Sequence, residues 1–162
     1  MNDLFCFSHE EFDNECLKHG YSDSCVPDNI AFISIIGTED CQKYYLEETE
    51  EHWFKDNHPG VLNLEFDDIA EDEIIWEGHR ILGLSEGQAK EIVEFIDKNI
   101  GKDFWIHCRA GFSRSQAIVR YILDLYSDIE WKTRKDNPCL SPNIDVLQKL
   151  KRIKWNEARS TY

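Results

Sequence analysis

The chain opens on a short apolar run, Leu4-Phe5-Cys6-Phe7, and Ser8 followed three residues later by Glu11 has the spacing of a helix capping box. A strand running directly into a helix is predicted, with Phe12, Cys16 and Leu17 as its inner stripe and Gly20 as its C-terminal stop. Ile30-Ala31-Phe32-Ile33-Ser34-Ile35-Ile36 is β-branched, almost continuously apolar and closed by Gly37, the pattern of a central parallel strand covered on both faces. The polar stretch from Thr38 to Asn57, with Tyr44, Tyr45, Leu46, Trp53 and Phe54 interspersed, reads as a helix or an ordered loop. After Pro59-Gly60, Val61-Leu62-Asn63-Leu64-Glu65-Phe66 reads as a further strand that opens into Asp67-Asp68.

The clearest helical periodicity lies between Ser85 and Asn99, where Ala89, Ile92, Val93, Ile96 and Ile100 share one face, Ser85 and Gln88 form the cap, and Gly101 ends the helix. Phe104-Trp105-Ile106-His107 is a short strand, and helical spacing resumes from Gln116 to Tyr126 through Ala117, Tyr121, Ile122 and Leu125. Ser141-Pro142 supplies a cap and a first-turn proline for a last helix carrying Val146, Leu147, Leu150 and Ile153. Alternating strands and helices predict an α/β fold with a central, mainly parallel sheet flanked by helices. No repeat or flexible linker interrupts that order, and the expectation is a single domain over residues 1–162.

Composition changes this picture little. No run approaches the roughly 20 apolar residues of a membrane span and the N-terminus has no secretion-signal pattern, so a soluble, cytoplasmic protein is expected. The net charge of −14 is uneven: residues 1–108 hold 7 Lys+Arg against 26 Asp+Glu, and residues 109–162 hold 11 against 6. A nucleic-acid binder carries the opposite balance, and the Glu47-Glu48-Thr49-Glu50-Glu51 run reads as solvated surface. None of the six cysteines forms a Cys-x-x-Cys pair, so a zinc site is not expected. Cys6, Cys16, Cys25, Cys41 and Cys139 read as small buried hydrophobes.

Cys108 is different. In His107-Cys108-Arg109-Ala110-Gly111-Phe112-Ser113-Arg114-Ser115 a cysteine and an arginine are separated by five residues between a predicted strand and a predicted helix. A loop this short, reversing at a helix N-terminus, can aim successive backbone N–H groups at one centre and bind a tetrahedral dianion, with Gly111 supplying backbone freedom. The same groups and the helix dipole favour a thiolate at Cys108. The fork of Arg114 suits two phosphate oxygens and the charge that spreads over them in a transition state. Ser115 can donate to the sulfur as it departs, while His107 reads as a structural hydrogen-bonding residue rather than a general base.

This segment resembles the signature of the protein tyrosine phosphatase superfamily, His-Cys-x-x-Gly-x-x-Arg-Ser/Thr, at every fixed position, and is most similar to the small dual-specificity branch. Leu64-x-Phe66-x-Asp68 resembles the strand and acid loop of that branch, and Ser141-Pro142-Asn143 the opening of its late helix, so that the resemblance runs from about Ile30 to Ile153. It implies a tyrosine-phosphatase-like fold and a metal-independent phosphatase acting through a phosphocysteine on a phosphorylated protein or peptide. Cys108 is then the nucleophile, residues Arg109, Ala110, Gly111, Phe112, Ser113 and Arg114 bind the phosphate, and Ser115 assists the sulfur. Asp68 is the general acid, with Asp67 its neighbour and competitor, the interval to Cys108 being lengthened by residues such as Gly78 to Gly87. No segment resembles the phosphotyrosine-recognition loop of the larger enzymes, which implies a shallow pocket open to phosphoserine and phosphothreonine as well. Lipid-directed relatives tend to carry loop lysines and RNA-directed ones read Asn-Arg-Thr-Gly, whereas this chain has Ala110, Phe112 and Ser113-Arg114-Ser115-Gln116. A phosphate-binding protein without turnover is the non-enzymatic alternative, and neither nucleic acid nor membrane is an expected partner.

Overall fold

The computed structural model describes residues 1–45, 50–134 and 141–160. Strand β1 (Asn2–Phe7) runs into helix α1 (His9–His19) through Ser8, which accepts the Glu11 N–H while the Glu11 carboxylate accepts the Ser8 N–H; Gly20, in the left-handed region, closes the helix. Then follow β2 (Ile30–Ile36), α2 (Glu39–Tyr45), β3 (Val61–Glu65) and a two-stranded hairpin, β4 (Glu73–Trp76) and β5 (His79–Leu82). Helix α3 (Glu86–Asn99), again opened by a capping box at Ser85 and Gln88, leads to β6 (Asp103–His107), α4 (Arg114–Leu125), the short β7 (Trp131–Lys132) and α5 (Ile144–Ser160). No described helix is long and apolar enough to cross a membrane.

The central sheet has five strands in the order β3-β2-β6-β1-β7, and every pairing in it is parallel. The fold is therefore α/β with a parallel central sheet, as the strand and helix alternation predicts. Because all strands point the same way, the segments leaving β1, β2, β3 and β6 emerge along one edge, where open α/β sheets place their ligand crevices.

Side chains alternate across the sheet with period two, and this sorts the core into two faces. Leu4 and Cys6 of β1, Ala31, Ile33 and Ile35 of β2, and Phe104 and Ile106 of β6 face α3, α4 and α5. Phe7, Ile30, Phe32 and Trp105 face the other way, onto Phe12 and Cys16 of α1 and onto Phe54. That second face is mostly aromatic, with Phe12 edge-on to Phe32 at 6.0 Å and Phe7 edge-on to Trp105 at 5.5 Å. Beyond the sheet, Lys149 of α5 is buried and donates to Asp72 (2.5 Å) and the Leu84 carbonyl (2.8 Å), tying the last helix to both ends of the hairpin.

Several details depart from the pattern in the sequence. Leu17, expected on the inner stripe of α1, is 68% exposed, and Leu125 of α4 is also exposed, because each lies at the edge of its helix's apolar face. Helix α5 begins after Asn143 rather than Ser141: the Asn143 side-chain oxygen accepts the Val146 N–H at 3.1 Å. The segment that lengthens the interval before Cys108 folds as a hairpin; its two-residue turn has positive φ at Glu77 (48°) and Gly78 (82°), the geometry that matches strand twist and needs glycine at the second place. Cys6 and Cys16 are buried as expected, but Cys25 is exposed and Cys41 intermediate; Cys139 and the Leu46 to Thr49 segment lie outside the described residues.

Phe12 is fully buried against the rings of Phe7, Phe32 and His107, whereas Leu17 on the same helix meets solvent. Phe12→Ala is therefore expected to lower the unfolding free energy by about 3–5 kcal/mol, and Leu17→Ala by no more than about 0.5 kcal/mol, as measured by urea denaturation.

Candidate active site

Residues 108–113 leave the C-terminal end of β6, the middle strand of the sheet, and turn into α4. The carbonyls of this loop are held from outside. The His9 N–H at the start of α1 donates to Arg109 O (3.0 Å), Gln116 Nε2 to Gly111 O (3.0 Å), and the backbone N–H groups of Ala117 and Asn143 both to Ser113 O (3.0 Å). His107 Nδ1 lies 3.2 Å from Cys108 O. A trans peptide sets its C=O and N–H on opposite sides, so fixing these carbonyls outward turns the N–H groups of Arg109, Ala110, Phe112 and Arg114 toward the inside of the loop. Among the described residues, no backbone N–H of residues 109–115 donates to another backbone carbonyl. Together with the N-terminus of α4 they form a ring of donors able to bind an oxyanion.

Gly111 makes this path possible for two reasons. Its φ is +76°, and a Cβ there would stand 2.9 Å from the backbone of Phe7 and Ser8. The loop thus rests directly on the junction between β1 and α1.

Cys108 is buried, and its side chain falls on the α3–α5 face by the same alternation that puts Phe104 and Ile106 there. Its Sγ is 3.0 Å from Ser115 Oγ. Cys6 Sγ donates to the same hydroxyl at 3.0 Å, so the single Ser115 proton is left to point at Cys108. The Cys6 contact is not marked by any spacing in the chain; its parity on β1, one place before the end of the strand beside β6, is the available signal.

Arg114 is buried as the first residue of α4, and its Nη1 donates to Phe66 O at 2.8 Å, which couples the loop to the end of β3. Its Nε is buried with no acceptor among the described residues. A buried guanidinium donor without a partner is costly, and it is compensated only when an acceptor arrives.

Asp67 and Asp68 are adjacent in sequence and opposite in environment. Asp67 is 2% exposed and accepts from Thr38 N (2.9 Å), Thr38 Oγ1 (2.7 Å) and Leu82 N (2.9 Å). Asp68 is exposed and leans over the loop, its Oδ1 accepting from Ser113 Oγ and from Asn143 Nδ2, each at 2.7 Å. Of the two carboxyls, only that of Asp68 is both at the loop and open to solvent. Arg109, Ala110 and Phe112 line the exposed rim, Phe112 at 64%. Arg109 faces Glu50 at 3.4 Å across a cavity of about 740 Å³ that His9, Glu10 and Asp13 also line. Glu50, expected in a solvated acidic run, is instead mostly buried, because its Oε2 accepts the Gly37 N–H at 2.9 Å.

Beneath the loop lies a chain of buried polar groups that the sequence did not foretell. Ser34 Oγ is 2.6 Å from His107 Nε2 and 2.7 Å from His52 Nδ1. Burial holds His107 well below its usual pKa and lowers His52 to about 4, with His9 nearby adding to both, so both rings are neutral near pH 7. Since Cys108 O can only accept, His107 carries its proton on Nδ1 and its Nε2 accepts from the Ser34 hydroxyl; Ser34 in turn accepts from His52 Nδ1–H. Every proton in the chain is thereby assigned, and His107 is a structural donor to the loop. The His107 ring also stacks on Phe12 with centroids 4.3 Å apart.

Comparison with protein-family models, with curated proteins and with solved structures returned no match to this chain.

A histidine whose pKa falls from the usual 6.5 to about 4 on folding binds fewer protons folded than unfolded, so its contribution to stability is present above pH 6.5 and is lost as pH falls toward 4. His52→Asn keeps an N–H for Ser34 and removes this titration. The urea midpoint of the unsubstituted protein should fall between pH 7 and pH 4.5, and that of His52→Asn should fall less steeply, His107 supplying the remainder.

Proposed function

We propose that this chain is a cysteine-dependent phosphatase of the protein tyrosine phosphatase superfamily, dual-specificity type, with the corresponding fold, acting on phosphorylated proteins or peptides. The observation that carries this reading is the loop of residues 108–114: the carbonyls of Cys108, Arg109, Gly111 and Ser113 are bonded outside it, which directs the N–H groups that follow them inward around a buried cysteine, and the Nε of Arg114 is a buried donor with no acceptor among the described residues. Such a ring suits a phosphoryl group, and a cysteine at its centre suits attack on phosphorus.

In this mechanism the Cys108 thiolate forms the S–P bond as the P–O bond to the substrate breaks. The N–H groups of the loop and the Arg114 fork hold the three phosphoryl oxygens and gain as their charge spreads. Asp68 delivers its proton to the leaving oxygen. It then takes a proton from the water that displaces the sulfur, and the Ser115 hydroxyl, 3.0 Å from Sγ, stabilises the thiolate as it departs.

The surroundings favour a protein substrate over a polyanion. Glu10, Asp13 and Glu50 line the cavity beside Arg109, and the chain carries a net charge of −14, so a nucleic acid or a multiply phosphorylated lipid headgroup would meet repulsion on approach. With Phe112 and Ala110 exposed the rim is low, which suits phosphoserine and phosphothreonine as well as phosphotyrosine.

Hydrolysis of an aryl phosphate that is blocked by vanadate and insensitive to chelators is the expected activity. Cys108→Ser should abolish it while leaving phosphate binding measurable by calorimetry, and Arg114→Lys should reduce kcat/KM by about 10²-fold or more, since a point charge replaces a bidentate fork. Near-normal turnover in Cys108→Ser would rule out the phosphocysteine, and binding without any turnover in the unsubstituted protein would favour the non-enzymatic alternative.

Asp68→Asn should slow turnover of alkyl phosphates by about 10²–10⁴-fold and change turnover of activated aryl phosphates far less, because only the former need the leaving oxygen protonated. Asp67→Asn should instead lower stability with no such dependence on the leaving group, as the three donors on Asp67 imply.

A further inference from the structure

Asn143 lies where three parts of the site meet, and every hydrogen-bonding group it has is used. Its backbone N–H donates to Ser113 O (3.0 Å) and its backbone carbonyl accepts the Leu147 N–H (3.1 Å). Its Oδ1 accepts the Val146 N–H (3.1 Å), which makes it the cap of α5. Its Nδ2 donates to Asp68 Oδ1 (2.7 Å) and to Ile69 O (3.1 Å). The residue is 8% exposed. One buried amide thus joins the phosphate loop, the Asp68 segment and the last helix.

The chemistry of Asp68 depends on which of its oxygens carries the proton. Oδ1 already accepts from two donors, the Ser113 hydroxyl and the Asn143 amide. An amide N–H cannot accept a proton, so a protonated Oδ1 would have to break the Asn143 contact. Among the described residues no hydrogen bond reaches Oδ2. The two donors therefore leave Oδ2 as the protonated oxygen and fix the plane of the carboxyl relative to Ser113, which belongs to the loop that holds phosphorus.

We propose that Asn143 is a positioning residue for phosphoryl transfer: it orients the Asp68 carboxyl so that Oδ2 delivers the proton to the leaving oxygen and later receives one from the attacking water. The proposal rests on the phosphatase reading above. During S–P bond formation the electron pair of the breaking P–O bond passes to the leaving oxygen, which takes the proton from Oδ2. Asp68 is left ionised, with Oδ1 still held by its two donors. When water attacks phosphorus and the S–P bond breaks, its proton returns to Oδ2 and the sulfur leaves as thiolate.

The alternative is that Asn143 serves only as a helix cap, and one isosteric change separates the two roles. In Asn143→Asp the capping oxygen is retained, and aspartate caps a helix as well as asparagine does. The donor to Asp68, however, becomes an acceptor facing an acceptor. A capping role therefore leaves the leaving-group dependence of turnover in Asn143→Asp unchanged, whereas a positioning role is inverted. Asn143→Ser, which keeps a cap and lacks the amide, serves as a second variant should the first fail to fold.

The test measures kcat and KM for an alkyl phosphate and for an activated aryl phosphate, with urea midpoints, in the unsubstituted protein, Asn143→Asp, Asn143→Ser, Asp68→Asn and the double variant Asn143→Asp/Asp68→Asn. The expected result is a loss of about 10–100-fold in kcat on the alkyl phosphate with KM within about twofold and little loss on the aryl phosphate; the urea midpoint falls in either role because Ile69 O loses its donor, and it serves to confirm that each variant is folded under assay conditions. In the Asp68→Asn background, Asn143→Asp should cost no more than about twofold, because its effect passes through Asp68. Equal losses on both substrates, additivity in the double variant, or no loss at all would overturn the positioning role while leaving the phosphatase reading intact. No turnover by the unsubstituted protein would overturn both.

Discussion

The direction of a few peptide groups governs the rest of this molecule. A loop whose N–H groups converge is unfavourable by itself, since unpaired donors are crowded together and each buried one costs about 1–3 kcal/mol. It persists because the opposite end of each peptide is bonded to something rigid: the start of α1 at Arg109 O, the first turn of α4 at Gly111 O, and the junction of α4 and α5 at Ser113 O. Three helices and the middle strand thus hold the loop in a state it would not adopt alone. Under the proposed function, an anion entering the ring would supply the missing acceptors, and the cost of folding this segment would reappear as binding energy.

Strand parity decides which chemistry lies on which side of the loop. In β6, Phe104 and Ile106 face α3–α5 and Trp105 faces α1, so continuing the alternation sends His107 toward Phe12 and Cys108 toward Ser115. The neighbouring strands repeat the rule. Ser34, at the same level of β2 as His107, meets the imidazole, and Cys6 of β1 reaches the hydroxyl that serves Cys108. The face carrying the imidazole is the aromatic one, where burial keeps His107 neutral and fixes its donating nitrogen.

What could be read in the sequence was local. The apolar runs, both capping boxes and the strand-loop-helix around Cys108 follow from spacing within a few residues, and the structure has each of them. What could not be read was decided by contacts distant in the chain. Ser141, Pro142 and Asn143 are all competent to begin a helix, and Asn143 does so because its N–H is taken by Ser113 and its amide by Asp68. Glu50 sits in an acidic run that looks solvated, yet it turns inward to the Gly37 N–H. The Glu77-Gly78 turn is a weaker signal than Asn-Gly, and the flanking Ile75 and Trp76 are exposed, so no apolar alternation marked the hairpin.

That hairpin answers the question raised by the long interval between Asp68 and Cys108. Additional chain between a proposed acid and its loop would ordinarily loosen the acid, because a longer free segment has more conformations to lose. Here the extra residues are folded back and bonded to the segment they lengthen. Asp67 N–H donates to Leu82 O at 2.6 Å while Leu82 N–H donates to the Asp67 carboxylate at 2.9 Å, and Lys149 fastens Asp72 and Leu84 to α5. With Asp67 held inward from both sides, the next residue along the backbone is turned out over Ser113. The exposure of Asp68 is thus a consequence of the burial of Asp67, and the hairpin that follows is what braces this part of the chain.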